Sequence, residues 1–325
     1  MKLDSRLGST ECQLGCTTTQ QMFVLLPGRD YPCLASEPAV ALALCWRAGL
    51  VIDCGTALWR HRQELEHEAA RMCELSELIG ASSDLNAGQW GQLYAMAAAF
   101  APDLIVDLGR GYGNSTCLFT EVAHRLGNTR VVSIGFRDDH AWAERTEPKL
   151  RNALPTRWFE PLTIIEQDVR RVDFSLVYGS ATRILLFWDM LGYGVTRYIL
   201  DHALPPLAAR DHLILVKDVT DARYHWVENA HRAANLLSQS SEVRALGAFL
   251  ERNEIRFATA EHALRVWREE HTAEAVELES ACAQFPKPNP LQASDWIYFE
   301  VQRTLAARAR PGLLGRIRQL VGTAR

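Results

Sequence analysis

The sequence predicts an α/β fold: a mostly parallel sheet of seven strands with helices on both faces, preceded by a small α+β appendage. From about residue 86 onward, short apolar segments alternate with helix-compatible ones, the pattern of strand-helix-strand units. The apolar segments are nearly continuous, as in Leu104-Ile105-Val106 and Leu185-Leu186-Phe187, which marks strands covered on both sides. With 48% hydrophobic and 23% charged residues in 325, the chain has an ordinary globular composition and room for one large domain with a smaller addition.

Taken in order, residues 1 to about 20 are polar and rich in Gly, Ser and Thr, and read as a loose leader. Gln21 to Leu26 and Gly49 to Asp53 read as short strands around the Pro27-Gly28 turn and an Ala-rich segment. Leu65, Ala69, Met72, Leu75 and Ile79 stand at helical spacing, predicting one charged helix over Ala57 to Ile79. The run Gly80 to Asp84 breaks it, and Asn86 is placed to cap the next helix, Gln89 to Ala99, which ends at Pro102. These signals divide the chain into an N-terminal accessory region (1–85), a main domain (86–301) and a tail (302–325).

In the main domain the expected strands are Leu104 to Leu108, Arg130 to Ile134, Leu162 to Glu166, Arg183 to Trp188, His212 to Lys217, Ile255 to Ala258 and Trp296 to Val301. Pro286, Pro288 and Pro290 stiffen the connection before the last. In the tail, Leu313, Leu314, Ile317, Leu320 and Val321 form one helical stripe flanked by Arg316 and Arg318. This basic amphipathic tail suits docking on the core, on a partner subunit of a homo-oligomer, or on an anionic membrane surface.

The chemistry concentrates after the first strand of the main domain, where Asp107-Leu108-Gly109-Arg110-Gly111-Tyr112-Gly113-Asn114-Ser115-Thr116 joins a strand to a helix. Glycines there let the backbone take positive φ and approach a ligand, and the helix start offers unsatisfied N–H groups. The alternate spacing argues against the dinucleotide pattern G-x-G-x-x-G, so an NAD-linked oxidoreductase is disfavoured. The bland alternative is a tight turn that binds nothing.

The motif resembles the first motif of class I S-adenosylmethionine-dependent methyltransferases, whose Rossmann-like sheet has an antiparallel last strand. The resemblance spans roughly residues 86 to 301 and implies a cofactor site of Asp107, Gly109, Gly111, Gly113, Asn114 and Ser115, with Asp107 facing the methionine end. It also implies an adenine contact at Asp168, for which capping of a surface turn is the alternative. Relatives commonly end the second strand in an acid that clamps the ribose hydroxyls. Here Gly135 stands in its place, leaving Asp138 or Asp139 as substitutes.

Leu185 to Val195, Val216 to Val219 and Val243 to Asn253 are most similar to small-molecule O-methyltransferases of the macrocin methyltransferase and cephalosporin hydroxylase-like group. In that group acids after the fourth and fifth strands can hold a divalent cation, which here implies Asp189 and Asp218 as ligands of Mg²⁺. Lys217 stands where a further acid is expected, and Leu191 replaces a commonly polar residue. An ammonium beside the site opposes a cation and is itself a candidate source of positive charge. Asp189, His202 and His225 are candidates for the general base.

The implied activity is methyl transfer from S-adenosylmethionine to an oxygen of a small molecule. Gly135, Leu191 and Lys217 keep open a second reading, a binding or interaction protein with a decayed site. Trp142, Trp158, Tyr193, Tyr224 and Trp226 are candidates to line an acceptor pocket or simply to fill core.

The formal net charge of −4 gives no basic footprint for a nucleic-acid partner. It is unevenly placed: residues 302–325 hold six Arg and no acid, leaving 29 basic against 39 acidic residues before them. The eight cysteines are scattered, which suits reduced thiols and a cytoplasmic location. Cys12 and Cys16 lack partners for a zinc site. The N-terminus lacks a secretory signal's apolar run, and the best apolar stretch, Ala39 to Ile52, is short and interrupted by Arg47.

Overall fold

The computed structural model describes residues 52–81, 84–136, 141–190, 192–217, 241–292 and 296–301. The leader, the strand at Gln21 to Leu26, the tail, and the candidates Asp138, Asp139, Leu191, Asp218, Tyr224, His225 and Trp226 lie outside the described residues.

Five strands, β1 (Leu104–Leu108), β2 (Arg130–Gly135), β3 (Leu162–Glu166), β4 (Arg183–Trp188) and β5 (Asp211–Lys217), pair in parallel in the order β3-β2-β1-β4-β5. The sheet continues through β7 (Trp296–Phe299), antiparallel to both neighbours, to β6 (Phe257–Thr259) at the edge. The chain thus runs from β1 outward through β2 to β3 on one side and then crosses to β4 on the other side of β1. That makes the carboxyl end of β1 the topological switch point, where open α/β sheets leave a crevice.

Residue alternation divides the core cleanly. Ile105, Val131, Leu185, Phe187, Leu213, Leu215 and Tyr298 face one side, packed against helices that include α3 (Ala87–Phe100) and α4 (Asn114–Leu126). Leu104, Val106, Val132, Ile184, Leu186, Ile214 and Phe299 face the other. Since both sides of β1, β4 and β5 are covered, their sequences carry no polar face, as the near-continuous apolar runs required.

The predicted helix over Ala57 to Ile79 is two helices, α1 (Cys54–Arg60) and α2 (Arg62–Ile79), separated at His61. Asp53 is no strand end but the N-cap of α1, its carboxylate accepting from the Thr56 N–H at 2.8 Å. His61 pairs with Glu64 in the first turn of α2, so a polar contact marks the break that apolar spacing could not reveal. Leu58, Leu65, Met72 and Leu75 are buried in the same cluster as the sheet residues above. Asn86 caps α3 as expected, in a reciprocal box with Gln89.

Among the described residues no helix is long and apolar enough to cross a membrane.

Candidate functional site

The carboxyl ends of β1, β2, β3, β4 and β5 bring Gly109, Gly135, Glu166, Asp189 and Lys217 to one edge of the sheet. Backbone ladders continue past the strands and fix this edge: the Gly109 N–H donates to the Ile134 carbonyl at 3.0 Å and the Asp189 N–H to the Leu108 carbonyl at 2.8 Å.

The three glycines after β1 all have positive φ, at 100°, 48° and 89° for Gly109, Gly111 and Gly113, yet they serve different ends. A Cβ at Gly109 would stand 1.9 Å from the Asp189 carbonyl oxygen, so this glycine lets two strand ends meet. A Cβ at Gly113 would stand 2.3 Å from the Trp142 ring, so that glycine seats a core tryptophan. Of the three, Gly111 is clear, with no described atom nearer than 4.0 Å. At the bend, Gly111 is thus the glycine whose Cβ direction is open among the described residues, with the first turn of α4 beside it.

Asp107 is turned inward. It is fully buried, and its carboxylate accepts from Ser115 Oγ at 2.9 Å, Thr116 Oγ1 at 2.5 Å and Ser133 Oγ at 3.1 Å. Burial pushes its carboxyl pKa up, against the opposing pull of those hydroxyls and of Arg110. Its job, and that of Ser115, is to fasten the first turn of α4 to β1 and β2. The sequence pattern locates such an acid but not its direction; position 107 shares a face with the buried Ile105.

Asn114 is also buried: Nδ2 donates to the Ala81 carbonyl at 3.0 Å and toward Asp84 Oδ2 at 3.4 Å. Asp168 sits in the turn after β3, where it caps the backbone N–H of Arg170 at 2.9 Å and pairs with the same guanidinium at 2.5 Å. Arg170 accordingly holds the Asp168 carboxyl below the usual range.

Arg110 is the residue that the sequence reading passed over. Its side chain is buried, Nη1 donates to the Ser133 carbonyl at 3.2 Å, and Nη2 lies 3.8 Å from Glu166 Oε1. A Cβ at Gly135 would lie 3.1 to 3.2 Å from the Arg110 side chain. The second strand thus ends in glycine because an arginine lies against it, and the carboxylate beside that point comes from Glu166, one strand further out.

Lys217 and Asp189 meet as neighbouring strand ends, Nζ to Oδ2 at 3.0 Å, and Asp84 Oδ1 comes within 3.6 Å of the same ammonium. Asp84 was invisible to sequence reasoning because 133 positions separate it from Lys217. No group of three or more His, Cys, Asp or Glu suited to a metal occurs among the described residues. The Asp189 end of the expected Mg²⁺ set does not fit a cation, because an ammonium already stands against its carboxylate.

His202 is removed from the candidates for general base. It is exposed, its ring packs 4.3 Å from that of Tyr198, and the next residue's carbonyl accepts from Tyr178, just ahead of β4. That places it toward the amino ends of the strands, opposite the crevice. Of the expected pocket aromatics, Trp142 and Trp158 are core while Tyr193 is exposed.

The sheet order with β7 reversed, together with a glycine bend at the switch-point strand, decides the architecture. The fold is that of the class I S-adenosylmethionine-dependent methyltransferases. No family model and no curated protein matches the chain. A putative O-methyltransferase from Klebsiella pneumoniae is similar over 81% of this chain and 96% of its own, at 14% identity and a TM-score of 0.41. The O-methyltransferase TomG from Streptomyces achromogenes, involved in tomaymycin synthesis and solved in complex with SAM, is similar over 70% of this chain and 89% of its own, at 13% identity and a TM-score of 0.42. A structure of cmcI with SAH is similar over 44% of this chain, which spans 64% of that protein, less than two thirds, at 16% identity and a TM-score of 0.30. Likenesses of this size carry nothing about cofactor or acceptor to this chain.

Proposed function

We propose that this chain binds S-adenosylmethionine at the bend after β1 and transfers its methyl group to an oxygen of a small molecule. The observation that carries the reading is Gly111: a glycine at positive φ, clear of atoms of the described residues, at the switch point and beside the N-terminus of a 13-residue helix. A backbone open at that place fits a ligand with an anionic group for the helix start and a flat group to lie along the strand ends. When bound, the cofactor supplies a methyl group already made electrophilic by its sulfonium.

The protein's own task is then to align donor and acceptor and take one proton. Asp189 is the residue we assign to the proton. It lies at the end of β4, next to the glycine bend, with its carboxylate mostly but not fully buried at 11% exposure and held by Lys217. Glu166 is the carboxylate nearest Gly135 among the described residues and is the group we assign to the ribose hydroxyls. The cytoplasmic location, the small-molecule acceptor and the tail's role in oligomer or membrane contact belong to this proposal as expectations.

Calorimetric titration with S-adenosylmethionine and S-adenosylhomocysteine tests the reading, with NADH as the control. Saturable binding of the first two supports it; no heat from either at millimolar ligand removes it. A second reading, a protein that binds the cofactor without turning it over, is favoured by Trp142 covering Gly113 and Arg110 lying against Gly135. Binding without methyl transfer across a broad panel of acceptors would select it.

A further inference from the structure

Lys217 presents an unusual electrostatic arrangement. Its side chain is 1% exposed, and its ammonium lies 3.0 Å from Asp189 and 3.6 Å from Asp84, carboxylates delivered by β4 and by the segment entering α3. Two acids converging on one buried point repel each other unless a positive charge stands between them. The ammonium in turn is tolerable there only because the acids offset its loss of water. A third polar group borders the same corner. Asn114 directs its amide nitrogen to Asp84 and to the Ala81 carbonyl, and its fully buried Oδ1 has no hydrogen-bond partner among the described residues. Two carboxylate oxygens from separate elements about a buried ammonium have the form of a cation site, here filled from within. The distances suit an ammonium; oxygen ligands hold Mg²⁺ at about 2.0 to 2.1 Å.

We propose that the Lys217 ammonium is a tethered cation standing where a divalent metal would otherwise sit between Asp189 and Asp84, so that the site works without a metal and gains one when the ammonium is removed. The use of the site rests on the methyl-transfer reading; the exchange of ammonium for metal does not. Among these three groups one positive charge faces two negative ones, whereas a divalent ion would balance them.

Mn²⁺ titration of the full chain, read by the paramagnetic resonance of free Mn²⁺ and by calorimetry, tests this on the wild type and on Lys217→Met, which keeps the aliphatic stem and removes the charge. The wild type is expected to bind no stoichiometric Mn²⁺ and to keep its melting temperature after EDTA. Lys217→Met is expected to bind Mn²⁺ at least about tenfold more tightly than the wild type, a difference of about 1.4 kcal/mol. Its melting temperature should rise with Mn²⁺, and adding Asp189→Asn should abolish both effects. A wild type that binds Mn²⁺ and loses it with Asp189→Asn overturns the proposal, as does a folded Lys217→Met that binds none. Where Lys217→Met does not fold, Lys217→Asn is titrated instead, with the same two outcomes. Failure of S-adenosylhomocysteine to bind would count against the methyl-transfer reading alone and leave the Mn²⁺ result standing.

Discussion

Replacing Gly109 and Gly111 by alanine separates the two uses of the bend. At Gly109 the new Cβ would meet the Asp189 carbonyl oxygen at 1.9 Å, and φ of 100° is a backbone state that an L side chain resists. Backbone strain of about 1 to 3 kcal/mol and a forced shift of about 1 to 3 kcal/mol add to roughly 2 to 6 kcal/mol for Gly109→Ala. At Gly111 φ is 48°, inside the left-handed region, and no described atom is nearer than 4.0 Å, so only the intrinsic cost of about 1 to 2 kcal/mol applies. In a chain of this size that corresponds to roughly 2 to 4 °C per kcal/mol, so Gly109→Ala should melt about 10 °C lower and Gly111→Ala only a few degrees lower. Affinity for S-adenosylhomocysteine should show the reverse emphasis, with Gly111→Ala folded but weakened about tenfold, since a methyl group there occupies the ligand's side of the backbone. Circular dichroism melts and calorimetry measure both quantities. Equal melting temperatures for the two variants, or a Gly111→Ala chain that binds as well as the wild type, would refute the assignment of roles.

Three further outcomes follow from individual polar groups. Because burial raises the Asp107 carboxyl above its ordinary value of 3.8, its contribution to stability is complete below that value and is lost as pH rises through the folded pKa; Asp107→Asn should remove this decline from urea unfolding curves while costing about 1 to 3 kcal/mol for the mismatched hydroxyl donors. His212 is the opposite case, with burial lowering its pKa while Nε2 accepts from the Val301 N–H at 2.8 Å. The stability it gives is therefore present above about 6.5 and lost as pH falls, by up to about 1.4 kcal/mol per pH unit, and His212→Gln should flatten that dependence in denaturation midpoints between pH 5 and 7.5. His202→Ala should leave methyl transfer and its pH profile unchanged, and a large fall in kcat would return His202 to the site.

The sheet was legible from sequence because β1, β4 and β5 are covered on both sides and so have no polar alternation to confuse the reading. The Asn86 cap was legible for a local reason: its partner, Gln89, is three residues away. What stayed hidden was long-range or directional. The break at His61 interrupts a helical stripe whose apolar spacing runs on undisturbed. The meeting of Asp84 with Lys217 depends on how the segment before α3 crosses the strand ends, which no local pattern encodes. The inward direction of the Asp107 carboxylate was not read, although the period of two that buries Ile105 also buries Asp107. Arg110 was in plain view within the glycine motif, and the missing acid at Gly135 was the one signal that a bulky neighbour lay against that strand end.

The most direct test of the central claim is ultraviolet crosslinking of methyl-labelled S-adenosylmethionine to the wild-type chain, followed by tryptic mapping. Cleavage after Arg110 and Arg125 releases Gly111 to Arg125 as one peptide, carrying the exposed Tyr112 beside the open glycine. The account predicts that label accumulates in this peptide, is competed away by S-adenosylhomocysteine and, at subsaturating cofactor, is reduced in Gly111→Ala. Label confined to peptides away from the carboxyl edge of the sheet, or none at saturating cofactor, would contradict it.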